Sequence, residues 1–247
     1  MNTPWPYPKL FAHRGGGALA PENTLAGMRM AATQKYQAVE FDVKLAACGT
    51  LIVMHDDTLD RTTNGNGLVA DTRYEDIAKL DAGSWQAEKF AGERVPTFVA
   101  LAELCIDLGL LCNVEIKPNA GQAHETGAAV ALACKKIWAD KKYLPLLTSF
   151  SYDALAAAQA AAAEFPRGIL YEQLPAEWKI QAKELDCASV NCHHAQVSVD
   201  QIQTIRAAGY RMICYTVNEV AKARKLFAWG VDGIFTDNLV EMKSLKI

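Results

Sequence analysis

Two short runs, far apart in the chain, place carboxylates where an interior would not tolerate them without compensation. In Ala38-Val39-Glu40-Phe41-Asp42-Val43 the alternation of a strand sets Glu40 and Asp42 on one face, and Val39, Phe41 and Val43 on the other. In Val114-Glu115-Ile116-Lys117 the same alternation puts Glu115 and Lys117 together. Like charges buried side by side are costly unless a cation or a shared proton neutralises them. An Arg or Lys partner would account for the first pair alone, and a plain Glu115–Lys117 ion pair for the second. Taken together, three carboxylates at neighbouring strand ends form an all-oxygen site suited to Mg²⁺ or Ca²⁺. No Cys/His ligand cluster accompanies them, which disfavours zinc.

Groups that handle anions and protons lie close to these runs. A first strand ends in His13-Arg14-Gly15-Gly16-Gly17, and a later one, Leu51-Ile52-Val53-Met54, ends in His55 followed by Asp56 and Asp57. A histidine at a strand end is often only a hydrogen-bonded structural residue, and three glycines are equally consistent with a tight turn. Two His beside a metal site, with Arg14 and Lys117 as cations, nevertheless describe acid/base chemistry on a negatively charged ester. Phosphate is the obvious anion. His124, His193 and His194 read instead as surface or core residues, although His193 follows a strand and is within reach of the same end.

Those residues need a scaffold that gathers strand ends. Eight β-rich runs are expected, at 9–13, 38–45, 110–117, 144–150, 167–171, 188–192, 211–217 and 233–236. Helical patterns near 24–34, 98–108, 125–139, 152–164, 177–185, 200–207 and 221–228 separate them. Such alternation implies parallel strands with crossover helices, and it closes best as a (β/α)8 TIM barrel, an α/β fold whose chemistry sits at the C-terminal strand ends. A doubly wound open sheet is the rival, but the G-x-G-x-x-G turn it would want after strand one is absent. One segment breaks the rhythm: a Gly/Asn/Asp-rich stretch of about 57–96 after strand two, with Tyr74, Trp85 and Phe90 in it. It is expected to fold down and help wall the barrel mouth.

The 247 residues suit a single domain spanning 1–247, and 51% hydrophobic content supplies a large core. A net charge of −3 offers no basic field for nucleic acid. The Ala-rich run 154–165 is too short to insert in a membrane. The opening residues Met1 to Lys9 lack the basic and apolar regions of a secretory signal, and seven Cys without a C-x-x-C pair suit free thiols, so a cytoplasmic location is expected.

The chain resembles the glycerophosphodiester phosphodiesterases, in particular bacterial cytoplasmic members. The resemblance rests on Ala12-His13-Arg14-Gly15 with Pro21-Glu22-Asn23-Thr24 downstream, then Glu40-Phe41-Asp42, His55-Asp56 with Leu59-Arg61-Thr62-Thr63-Gly65, Glu115-Ile116-Lys117, and Gly233-Ile234-Phe235-Thr236-Asp237. It covers nearly the full length. It implies metal-dependent hydrolysis of glycerophosphodiesters, such as glycerophosphocholine or glycerophosphoethanolamine, to sn-glycerol 3-phosphate and an alcohol. By position, Glu40, Asp42 and Glu115 would bind the divalent metal, His13 and His55 would act as general acid and base in either order, and Arg14 and Lys117 would hold the phosphate. Glu22 and Asn23 would brace the site, with helix entry the simpler role for Asn23. Tyr215 stands where many relatives have Trp, and is the candidate for aromatic packing against substrate. A phospholipase-D-like lyase and a non-catalytic phosphometabolite-binding protein are the alternatives. The insertion and missing signal argue against the first, and the intact histidines and carboxylates against the second.

Overall fold

The computed structural model describes residues 5–245, so the Met1–Pro4 part of the signal reading lies outside them. In chain order the elements are β1 (Leu10–Ala12), α1 (Leu25–Thr33), β2 (Ala38–Leu45), β3 (Leu51–Val53), α2 (Tyr74–Ile77), α3 (Phe98–Asp107), β4 (Leu111–Ile116), α4 (Ala123–Ile137), β5 (Leu146–Ser149) and α5 (Tyr152–Ala161). There follow β6 (Arg167–Tyr171), α6 (Trp178–Glu184), β7 (Cys187–His193), α7 (Val199–Ala207), β8 (Arg211–Tyr215), α8 (Val220–Trp229), β9 (Gly233–Thr236) and α9 (Leu239–Met242). Hydrogen bonding runs β1-β9-β8-β7-β6-β5-β4-β2 in parallel and closes through a β1–β2 pairing, so those eight strands form a TIM barrel. The antiparallel β3 attaches to β2 alone, with Val43 opposite Val53.

Each expected barrel strand and each expected helix is present, with ends that shift by a few residues. The helix foreseen over 152–164 stops at Ala161, because Ala162 takes an extended φ of −155° ahead of Phe165-Pro166. Side chains of Thr24, Thr97, Ser151 and Ser198 accept from backbone N–H groups in the first turns of α1, α3, α5 and α7, and Ser198 forms a capping box with Gln201. The helix α2 was not foreseen. Only four residues long, it lies inside the insertion, too short for a periodicity to register.

Outward-facing Val39, Phe41, Val43, Val114, Ile116 and Val190 pack under the helices and make the main core with Met28, Leu101, Val130 and Leu155. Inside the barrel the chemistry changes with height. The floor is apolar, built from Tyr7, Phe11, Ala38, Leu146, Ile213 and Phe235. Above it the inward positions turn polar: Glu40, Asn113, Thr148, Ser189 and Asn191 are all fully buried or nearly so. Polar side chains therefore fill the upper half of the barrel, beneath the loops that follow the strands.

Leu59, Val69, Ile77, Ala82 and Val95 of the insertion pack with Ile52 and Met54 of the β3 segment into a second small core, with Tyr74 against it. The insertion is tied to the loop and helix after β1: Gln86 Nε2 donates to the Ala18 carbonyl at 3.0 Å, Glu93 Oε1 accepts from the Ala26 N–H at 3.1 Å, and Arg61 donates to Glu22. It thus covers one side of the barrel mouth, as its aromatic content suggested.

Candidate active site

Strands β2 and β4 lie side by side with Asp42 level with Glu115 and Glu40 level with Asn113, which brings the three carboxylates to one point. One oxygen from each of Glu40, Asp42 and Glu115 lies within 4.8 Å of the others, and all three side chains are buried. The loop after β1 is wound to reach them. Arg14 (φ +50°) and Asn23 (φ +59°) both sit in the left-handed region, which costs a non-glycine residue about 1–3 kcal/mol and persists only where surroundings enforce it. In that conformation the Arg14 N–H donates to Glu40 Oε2 at 3.0 Å, and its carbonyl accepts from the Asn23 N–H at 3.0 Å. Asn23 grips Asp42 twice, donating from Nδ2 to Oδ2 at 2.9 Å and accepting the Asp42 N–H on Oδ1 at 3.2 Å. Helix entry belongs to Thr24, whose hydroxyl accepts from Gly27. Asn23 is therefore a brace for the carboxylates rather than a cap.

The charges around this cluster are unequal. Burial, together with the neighbouring Asp42 and Glu115 carboxylates, pushes Glu40 well above the usual carboxylate range. Burial and Asp42 likewise raise Glu115 to about 7, against the pull of Lys117. For Asp42 burial is outweighed by Lys117, Arg14 and His55, which hold it below its ordinary value. Lys117 Nζ stands 3.1 Å from Glu115 Oε1 and 3.4 Å from Asp42 Oδ1, and Arg14 Nε is 3.7 Å from Asp42 Oδ2. One cation per carboxylate is not available at contact distance: Glu40 is served by a backbone N–H and by His13 at 3.8 Å. Three buried carboxylates with so little compensation are a donor set that fits a hard divalent cation.

The two histidines share one design. His13 Nδ1 donates to Asp237 Oδ1 at 2.7 Å, and His55 Nδ1 donates to Asp56 Oδ1 at 2.7 Å, so each ring keeps Nε2 for the cavity. Burial holds His55 below 6.5, favouring its neutral form. Asp237 is bonded in turn by Asn218 Nδ2 at 3.0 Å, and its loop is pressed against Gly17, where a Cβ would strike the Asp237 backbone. Behind His55, the fully buried Lys44 Nζ donates to the Asp56 carbonyl at 2.7 Å and to Asp57 Oδ1 at 2.6 Å.

A cavity of about 310 Å³ is lined by His13, Arg14, Asp42, His55, Glu115 and Lys117, together with Phe150, His193, Tyr215 and Thr216. A second, of about 480 Å³, shares His13 and Arg14 and continues past Glu22, Asn218 and Asp237 to Trp85 and Gln86 of the insertion. Of the site residues expected from the sequence, His13, Arg14, Glu22, Asp42, His55, Glu115, Lys117 and Tyr215 line these two cavities, and Glu40 and Asn23 lie buried beneath. Tyr215 faces the first cavity, its ring against Phe150 at 5.7 Å between centroids and its hydroxyl bonded to the Tyr171 carbonyl at 2.8 Å. His193 is a correction: it ends β7 and lines the cavity, stacked on His194 at 4.9 Å, because the inward alternation of β7 carries Ser189 and Asn191 on to it. His124 lies exposed on α4, as its surface reading required. Asp237 and Arg61 were missed as functional candidates, although both stand in quoted motifs.

A pH dependence follows from Glu115. The folded protein keeps its proton up to about pH 7, whereas the unfolded chain gives it up near 4.5, so in metal-free protein rising pH disfavours folding across that window. Glu115→Gln removes that loss. In chelator at pH 8 the variant is expected to be more stable than the parent chain by about 3 kcal/mol in denaturant unfolding, with the gap closing below pH 4.5. A variant less stable than the parent at pH 8 would contradict the charge balance described.

Comparison with known proteins agrees with this geometry. Residues 13–241 match the model of the glycerophosphoryl diester phosphodiesterase family. The glycerophosphodiester phosphodiesterase of Caldanaerobacter subterraneus subsp. tengcongensis is 33% identical over 93% of this chain and 93% of its own length, and that of Bacillus subtilis is 31% identical over 92% of this chain and 82% of its own. Among solved structures, a phosphodiesterase of Oleispira antarctica in complex with the product sn-glycerol-3-phosphate superposes with a TM-score of 0.93 at 37% identity, over 96% of both chains. The chain belongs to the glycerophosphoryl diester phosphodiesterase family.

Proposed function

We propose that this phosphodiesterase hydrolyses small glycerophosphodiesters, glycerophosphocholine and glycerophosphoethanolamine among them, in a divalent-metal-dependent reaction that yields sn-glycerol 3-phosphate and the free alcohol. The observation that carries the reading is the single cavity in which two carboxylate-oriented histidines and two cations converge on three buried carboxylates. A cation held by Glu40, Asp42 and Glu115, Mg²⁺ or Ca²⁺, would supply Lewis-acid polarisation of the phosphate. Arg14 and Lys117 hold the remaining phosphoryl oxygens and stabilise the charge that builds on them. One histidine takes a proton through Nε2 as water attacks phosphorus. The other gives a proton to the alkoxide as its bond to phosphorus breaks. The bound sn-glycerol-3-phosphate of the Oleispira relative supports a product of this class. The charge of the chain and the small scale of the cavities favour small-molecule diesters over nucleic acid. Among the described residues no helix is long and apolar enough to cross a membrane.

The direct test is release of sn-glycerol 3-phosphate from glycerophosphocholine. EDTA is expected to abolish it and added Mg²⁺, Mn²⁺ or Ca²⁺ to restore it to differing degrees; full turnover by metal-free protein would overturn the metal assignment.

The named side chains all address phosphate, and the cavity with Phe150 and Tyr215 offers the enclosed place for glycerol beside the carboxylates. The alcohol then lies on the open side. Diesters of choline, ethanolamine, glycerol and serine are expected to be cleaved with kcat/KM within about tenfold of one another, about 1.4 kcal/mol of transition-state discrimination. Bis(p-nitrophenyl) phosphate, which lacks the glycerol hydroxyls, is expected to be far slower. A preference of several hundredfold for one alcohol would move specificity to the other side of phosphorus.

A further inference from the structure

Arg14 on the first loop and His55 after β3 line one cavity and share no hydrogen bond among the described residues, yet one side chain joins them. Arg61, at the start of the insertion, lays its guanidinium between two carboxylates. Nη1 and Nη2 donate to Glu22 Oε2 and Oε1 at 2.7 and 2.8 Å, while Nε and Nη2 donate to Asp56 Oδ2 and Oδ1 at 2.6 and 2.9 Å. Glu22 Oε1 also accepts from Arg14 Nη1 at 2.7 Å, and Asp56 Oδ1 accepts from His55 Nδ1 at 2.7 Å. The result is an unbroken chain Arg14–Glu22–Arg61–Asp56–His55.

We propose that Arg61 is a positioning residue for the phosphodiester hydrolysis, a guanidinium clamp that fixes the ring of His55 through Asp56 and frees the charge of Arg14 by neutralising Glu22. The inference rests on the roles given above to Arg14 and His55.

The Arg61 side chain is 44% exposed, which limits what its ion pairs contribute to the fold. Geometry explains the arrangement: planar bidentate pairing to two carboxylates at once is available to a guanidinium fork and not to an ammonium. Without Arg61, Glu22 keeps Arg14 as its remaining partner and draws that charge away from phosphate. Asp56 is at the same time free to rotate, and the His55 ring loses its fixed orientation. Ligand-orienting carboxylates of this kind commonly contribute 10–100-fold to the activity of the groups they hold.

The test compares the parent chain with Arg61→Ala and Arg61→Lys in metal-replete protein, following sn-glycerol 3-phosphate release and thermal unfolding together. Expected for Arg61→Ala is a fall in kcat/KM of roughly 10–100-fold, with kcat reduced as well as KM raised, and a melting temperature close to that of the parent. Guanidinium ion at millimolar concentration is expected to restore part of the lost turnover in Arg61→Ala and none in the parent. Arg61→Lys keeps the charge but is expected to recover only a minor part of the rate. Activity of Arg61→Ala within twofold of the parent, full activity of Arg61→Lys, or a loss that tracks unfolding and ignores guanidinium would each overturn the clamp. If the parent itself fails to release sn-glycerol 3-phosphate, the fault lies with the functional reading and not with Arg61.

Discussion

The repulsion among Glu40, Asp42 and Glu115 governs the upper half of this barrel. Burying even one carboxylate is expensive, and three within 4.8 Å would not be ionised together without compensation. The chain supplies that compensation unevenly. Asp42 receives Asn23, Lys117 and Arg14 and is held below its ordinary range, whereas burial and the neighbouring carboxylates raise Glu40, and raise Glu115 despite Lys117. Such a cluster is under-neutralised by its surroundings, and a hard divalent cation would complete it.

Much of the local structure can be read as the means of holding that unfavourable cluster in place. The loop after β1 takes two left-handed residues, Arg14 and Asn23, so that one backbone N–H and one amide face the carboxylates. An apolar floor of Phe11, Leu146, Ile213 and Phe235 closes the barrel below and keeps the polar layer above it. The buried Lys44, next along β2 on the face of Glu40 and Asp42, anchors the segment that follows His55. The site is held by the rigid strands β2 and β4, while its histidines are oriented by loops that the insertion and β9 bring in.

The strands and the carboxylates were legible because both depend on local alternation. Glu40 and Asp42 share a face for the same reason that Val39 and Phe41 share the opposite one, and the parallel barrel follows from the β/α rhythm. What local pattern could not show was pairing across the chain. Asp237 reaches His13 over 224 positions, and Arg61 reaches Glu22 over 39. Both residues stood in motifs that marked the resemblance, so a signal was present, but nothing in spacing alone assigns a carboxylate to a histidine so distant. His193 was misread for a different reason. Alternation within β7 carries Ser189, Asn191 and His193 to one face, but which of the two faces is inward is set by pairing with β6 and β8 and not by the spacing itself.

If Glu40, Asp42 and Glu115 hold the cation, its binding must displace the protons that burial favours on them. Titration calorimetry of Mg²⁺ into metal-free protein, repeated in buffers of different ionisation enthalpy, counts the protons released on binding. With burial holding Glu115 at about 7 and raising Glu40 as well, binding at pH 6 is expected to release protons, and fewer as the pH approaches 9. Binding at pH 6 with no proton release, or no binding at all, would contradict a cation held by these carboxylates.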